Sequence, residues 1–345
     1  MAEAWSALPY AHGGACGTGR LRALDEDFQV DEDLGFEADG EGEHVLLHIR
    51  KRAMNTEQVA RVIAKLAGVP AQDVGFAGMK DRNAVTTQWF SVGLAGREEP
   101  DWSAMNDDRL EVLSAARHGR KLRRGALQGN RFVLRIRELE GDRECIEQRL
   151  KAIAAQGVPN YFGAQRFGRE GGNLARAEAM LVGGRRERDR HKRGLYLSAG
   201  RSWLFNRVLA ARVADGSWNT LLPGEVACLA GSNSVFDTEV DDAGLAARLA
   251  AFDIHPSGPM WGRGRLRSRD RALEVETAAL ADWADWRNGL EHVGLDQDRR
   301  PLRLVPGGLG WEWVDADLVL SFSLPSGAYA TTMLREVVEA EEGES

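Results

Sequence analysis

Strand-like patterning fills both ends of this 345-residue chain and fades in its middle. HVLLHIRK (44–51) alternates apolar and polar residues, as a half-buried strand does. AVTTQWFSV (84–92), RLEVLSA (109–115) and NRFVLRIREL (130–139) are rich in β-branched, aromatic or alternating residues, and VGFAG (74–78) reads as a short strand. Two helices interleave with them. One follows Asn55, with Gln58 at the capping-box position, an apolar stripe of Val59, Val62, Ile63 and Leu66, and a stop at Gly68 and Pro70. The other follows Asp142, with Ile146, Leu150 and Ile153 on one face, and stops at Gly157. From about 155 to 300 helical patterns dominate, notably 202–214 and a long one over 270–293. Beyond LVPGGLG (304–310), a strand (317–324), a PSG turn and a helix (328–340) are predicted. The pattern implies the α+β class: one α+β domain, residues 1–154 and 305–345, split by a mainly helical α+β insertion over 155–304.

Composition narrows the function classes. The chain is 43% hydrophobic and 28% charged, ordinary for a soluble globular protein. No window approaches the roughly 18 apolar residues of a membrane span. The N-terminus lacks a basic segment followed by an apolar run, so no signal peptide is expected. Cys16, Cys145 and Cys228 lie far apart, odd in number and without metal-ligand spacing, which predicts a reducing, cytoplasmic compartment and no structural zinc. The net charge of −7 weighs mildly against a polyanionic partner, but the charges are segregated. Residues 31–43 and the tail 335–345 are acidic, whereas 112–137 hold eight Lys or Arg and no acid, and 183–194 form a second basic run. Such segregation predicts a basic face with the acidic stretches turned away, or else two ordinary solvated faces.

Three stretches carry candidate chemistry. In FAGMKDRNAVTTQWFSV (76–92), Asp81 stands at the mouth of a strand, with no His, Cys or serine elbow to suggest a hydrolytic triad. A solvated turn aspartate explains it; so does an ionised catalytic carboxylate, which needs a cation beside it. Lys80, Arg82 and the upstream Arg22 are candidates for that cation. In GNRFVLRIR (129–137), Phe132, Leu134 and Ile136 share one strand face, and Arg131, Arg135 and Arg137 the other. Phe132 is then a core residue or a ring placed to stack on a base, with Asn130 beside it to hold a loop or a phosphate. GVPNYFGAQRFGREGGN (157–173) interleaves aromatics, arginines and glycines without a period. It suits either a packed loop or one meeting nucleic acid, where Arg166 would find a phosphate and Tyr161 a base.

Taken together and in this order, GMKDRNAVTTQWFSV, GNRFVLRIR and GVPNYFGAQRFG resemble the signature segments of the TruD family of tRNA pseudouridine synthases. Residues 25–56, 192–213 and 323–336 resemble the family as well, while about 230–300 match little beyond SGPMWG. The resemblance implies the pseudouridine synthase core, a mixed and largely antiparallel sheet with flanking helices, carrying a family-specific insertion. It implies isomerisation of uridine 13 of tRNA without a cofactor or metal. It makes Asp81 the catalytic aspartate and places Phe132 and Asn130 in the active site. Arg22 stands where the family commonly carries a lysine, so the positive charge is kept but not its shape. Met79 replaces a residue of similar length. tRNA is the expected partner, and a monomer is expected because no exposed apolar stripe stands out.

Overall fold

The computed structural model describes residues 5–239 and 243–342; residues 1–4, considered above for a leader, and the tail end 343–345 lie outside them. The chain forms two compact units. One contains Gly17–Asp142, Pro306–Gly327 and the strand Glu339–Glu342. The other contains the described residues up to Cys16, then Arg143–Val305 and Ala328–Val338.

The first unit is built on a ten-stranded sheet. Its main path runs Gly307–Val314, Asp317–Pro325, Gly129–Gly141, Phe28–Asp33, Val85–Gly93, His44–Arg52, Leu110–His118. Gly17–Leu21 joins Gly129–Gly141, and Val74–Phe76 joins Val85–Gly93. Neighbours are antiparallel except Phe28–Asp33 against Val85–Gly93 and Gly17–Leu21 against Glu339–Glu342. The sheet is therefore mixed and largely antiparallel, as expected. The helix Thr56–Ala67 covers one face, starting at the anticipated reciprocal cap between Asn55 and Gln58 and ending at Gly68 with φ 65°. Val59 and Ile63 bury against Val45, Leu47, Ile49 and Phe90, while Val62 is exposed, so the buried stripe is narrower than predicted.

In the second unit the 25-residue helix Arg190–Ala214 contributes Leu197, Trp203, Phe205 and Leu209 to a core shared with Phe162, Trp286 and Leu302. A four-stranded sheet, ordered Val235–Asp237, Val226–Leu229, Ile254–Met260, Asp298–Pro301, lies here too. Pro256, Pro259 and Pro301 hide these strands from propensity reasoning.

Two helix expectations need correction. The pattern over 270–293 is not one helix: Asp270–Ala279 and Ala284–His292 are separated by a tight turn at Ala281–Trp283. Tightening toward three residues per turn lines up positions three apart, and Leu280 and Trp283 both reach the same aromatic core. The C-terminal helix is only Ala330–Leu334. Beyond it the β-branched Val337 and Val338 are buried, and Glu339–Glu342 pairs parallel with Gly17–Leu21.

Cys16 and Cys145 form a disulfide, with Cα atoms 5.8 Å apart, which removes the cysteine-spacing argument for a reducing compartment. No described helix is long and apolar enough to cross a membrane, and no group of His, Cys, Asp or Glu among the described residues is arranged to hold a metal.

Candidate active site

Asp81 belongs to the turn between the strands Val74–Phe76 and Val85–Gly93. Residues 77–84 have no place in the ladder, so hydrogen bonds from elsewhere fix them. Gln88 Nε2 donates to the Gly78 carbonyl (2.7 Å), the Lys80 amide donates to Thr56 Oγ1 (3.0 Å), and the Gly125 amide donates to the Ala77 carbonyl (2.8 Å). Lys51 Nζ donates to the carbonyl of Asp81 itself (2.8 Å).

Arg22 meets the Asp81 carboxylate: Nη2 lies 2.7 Å from Oδ2. The two ends differ in exposure, 16% for the Arg22 side chain and 50% for that of Asp81. The guanidinium also lies 4.0 Å from the Phe28 ring centre. Arg22 adopts φ 60°, a left-handed conformation uncommon away from glycine. A half-exposed ion pair contributes under about 1 kcal/mol to folding, so its effect is to orient the carboxylate rather than to stabilise the chain.

The other candidate cations go elsewhere. Lys80 Nζ lies 2.6 Å from Glu32 Oε1, in a pair whose side chains are 6% and 0% exposed. Glu32 Oε2 also accepts the Trp89 amide (3.0 Å). Lys80 is thus committed to an internal ion pair rather than to solvent. Arg82 is exposed and makes no ion pair among the described residues. Glu32 corrects the expectation that the acidic stretch faces away. Phe28, Val30 and Glu32 alternate inward along their strand, and period 2 carries Glu32 into the interior with them.

Phe132 is 8% exposed, stacked on Phe322 at 5.2 Å and edge-on to Phe28 at 6.4 Å. The core reading therefore describes it, and an open stacking face does not. Phe132→Ala is expected to lower the unfolding free energy by about 3–5 kcal/mol, the cost of emptying a packed aromatic site. Urea denaturation measures it, and a change below about 1 kcal/mol would mean that the ring is dispensable to the core. Asn130 pairs with Glu32 and Leu324 in the sheet, and its Oδ1 is buried without a hydrogen-bond partner among the described residues.

Tyr161 and Arg166 belong to the second unit. Tyr161 is 1% exposed, its hydroxyl donates to the Pro9 carbonyl (3.3 Å), and burial pushes its pKa up. It is an interior residue, not a surface for a base. Arg166 is half-buried, with Nε 2.9 Å from the Tyr329 hydroxyl and Nη1 3.3 Å from Ser198 Oγ. Arg300 lies against the neighbouring Phe162 ring at 4.1 Å. Burial pushes its pKa down to about 10, with Tyr329 acting to raise it and Arg166 to lower it.

The basic stretches divide. Arg117, Arg131, Arg135 and Arg137 pair with Glu99, Asp33, Asp317 and Asp27. Arg120, Arg123 and Arg124 stay exposed without an ion pair among the described residues. Their loop contains Gly125, which bonds to the turn carrying Asp81. Arg185, Arg186, Arg188, Arg190, Lys192 and Arg193 are likewise exposed and unpaired among the described residues.

Comparison with known proteins supplies the family. The family described as tRNA pseudouridine synthase D (TruD) matches residues 7–188 and 172–337. The tRNA pseudouridine synthase D of Methylococcus capsulatus is 54% identical over 333 residues, covering 96% of this chain and 94% of its own. That of Xanthomonas axonopodis pv. citri is 52% identical over 348 residues, with the same coverage. A solved TruD structure from Methanosarcina mazei shares the fold at a TM-score of 0.72 and 22% identity, covering 95% of each chain. The chain thus has the α+β fold of that structure, and the matched family and relatives make it a pseudouridine synthase. More narrowly, the chain belongs to the TruD family of tRNA pseudouridine synthases.

Proposed function

We propose that this chain isomerises uridine 13 of tRNA to pseudouridine, with Asp81 as the catalytic carboxylate acting on a uridine extruded from the folded RNA. The observation that carries the reading is the Arg22–Asp81 pair, a half-exposed carboxylate held by a mostly buried guanidinium. Extrusion follows from the chemistry, because a base stacked in folded RNA cannot be detached and turned in place.

The reaction breaks the bond from C1′ to N1 and forms one from C1′ to C5, with the base turning in between; C5 then gives up its proton to solvent and N1 takes one. Asp81 serves it by attacking C1′, by attacking C6 of the ring, or by taking a proton from C2′, and each route needs the ionised carboxylate at a fixed place. Asn130 lines the site in this reading: its buried Oδ1 has no partner among the described residues, and a donor such as the uracil N3–H would reach it only once the surrounding strands part. Phe132 supports the packing beneath the site through Phe28, on which Arg22 rests. The exposed arginines at 120–124 and 185–193 suit phosphates, and Arg166 is held by neutral partners as a phosphate ligand would be. We assign residues 1–154 and 305–345 to catalysis and 155–304 to a TruD-specific insertion. The enzyme is read as a cofactor-free cytoplasmic monomer.

Tritium release from tRNA carrying 5-tritiated uridine tests the isomerisation, and primer extension after carbodiimide treatment tests the position. One new stop is expected immediately 3′ of nucleotide 13, where extension halts before the adduct. A stop elsewhere would keep the class and overturn the position; free uracil would indicate a nucleosidase; binding without release would indicate an RNA-binding module.

A further inference from the structure

Lys51 ends an inward-facing row of the strand His44–Arg52, after Val45, Leu47 and Ile49, and all four are 0% exposed. Three of them fill the core beneath the helix Thr56–Ala67; the fourth is an ammonium. Burying an ammonium is costly unless its protons are satisfied. Here Nζ donates to the Met54 carbonyl (2.7 Å) and to the Asp81 carbonyl (2.8 Å). No carboxylate lies within ion-pair distance of it among the described residues. A lysine that only closed the loop at Met54 would have no need of the second contact.

That second contact belongs to a set. Thr56, Gln88 and Lys51 are all 0% exposed, and they come from a helix start and two strands. Thr56 Oγ1 takes the Lys80 amide, Gln88 Nε2 reaches the Gly78 carbonyl, and Lys51 reaches Asp81. Thr56 and Gln88 also bond to each other at 2.9 Å. Three interior polar side chains thus grip Gly78, Lys80 and Asp81 in a turn that has no ladder of its own. Lys51 grips the residue whose carboxylate matters. A charged donor makes that bond about twice as strong as a neutral one.

We propose that Lys51 is a positioning residue for Asp81: it fixes the main chain of the catalytic residue from below while Arg22 fixes the carboxylate from its other end. The proposal rests on the reading of Asp81 given above. The charged groups facing Lys51 are Asp81 and Lys80 of the turn and Asp25 before the strand Phe28–Asp33; its strand partners, Thr86 and Leu110, are uncharged. Burial pushes its pKa down to about 8, with Asp81 acting to raise it and Lys80 to lower it. The charge is therefore present below pH 8 and lost as pH rises through it.

Single-turnover tritium release by wild type, Lys51→Met and Asp81→Asn, over pH 6 to 10, tests this. Wild type is expected to lose activity on the alkaline side with a midpoint near 8. Lys51→Met is expected to fall about 10²-fold at pH 7, as misplacement of a reacting group by about an ångström does, and to lack that alkaline loss. Its tRNA affinity should stay within about twofold of wild type, because Lys51 is away from solvent. If Lys51→Met kept wild-type rates, or followed the wild-type pH profile at a lower level, Lys51 would be a purely structural lysine. If Lys51→Met does not fold, the wild-type profile decides alone, and a flat response from pH 7 to 10 overturns the proposal. Turnover in Asp81→Asn would instead overturn the reading of Asp81, and this inference with it.

Discussion

Asp81→Asn is expected to cut single-turnover tritium release by about 10⁴-fold or more, the upper end of what one acid–base group supplies. Asparagine has nearly the same shape, and its amide oxygen still accepts a hydrogen bond from Arg22, so the turn held by Lys51, Thr56 and Gln88 stays in place. What disappears is the negative charge. An amide neither adds to C1′ or C6 nor takes a proton from C2′ at neutral pH, so all three routes fail together. Binding should respond differently. Removing an anion beside a polyanionic ligand weakens no attraction, and the tRNA dissociation constant should stay within about threefold of wild type or tighten slightly. Filter binding alongside tritium release separates the two. Residual turnover above about one part in a hundred would sink Asp81 as the catalytic carboxylate, since no placement effect leaves chemistry so little affected by losing its reacting group.

The parts of this fold legible in the sequence are those governed by local periodicity. The strands His44–Arg52 and Gly129–Gly141 show the period because one face of the sheet packs under a helix or against aromatic rings, while Val85–Gly93, buried along most of its length, is legible from its β-branched and aromatic residues instead. The same period carries two further signals. Lys51 continues the row Val45, Leu47, Ile49, and Glu32 continues Phe28, Val30; each is a charge at an inward position, an exception worth tracing to the group it serves. Glu32 was obscured by the acidic run around it. Part of the basic stretch 112–137 is taken up by pairs that its own sequence does not announce. Arg135 meets Asp317 from 182 residues away and Arg137 meets Asp27 from 110 away, and no local pattern announces pairs formed by sheet register. Tyr161 and Arg166 show the limit of an aperiodic loop: one points into the core and the other is half-buried, with no period to separate them. Arg22 is nominated by the aspartate's need for a cation and by the lysine that the family commonly carries at its place, not by any local pattern, and the structure brings the two within 2.7 Å across 59 residues.

Arg22→Met is expected to lower the maximal rate by about 10²–10³-fold, the usual loss when one preorganised charged donor is removed from a reacting centre. Methionine fills much of the same volume over Phe28, so the packing beneath is largely kept and the loss reports on charge and orientation. The Michaelis constant should change little, because the Arg22 side chain is only 16% exposed and meets the carboxylate rather than solvent. Arg22→Lys separates the two contributions. Arg22 reaches Asp81 through Nη2 and Oδ2, a contact that one ammonium can reproduce, whereas the flat stacking on Phe28 is one that lysine cannot. Lysine is therefore expected to hold the rate within about tenfold of wild type, the loss measuring poorer orientation at unchanged charge. If both variants fell equally, the planar guanidinium would matter more than its charge. If Arg22→Met lost less than about fivefold, the pair would be an ordinary surface ion pair, worth no more to the reaction than to folding.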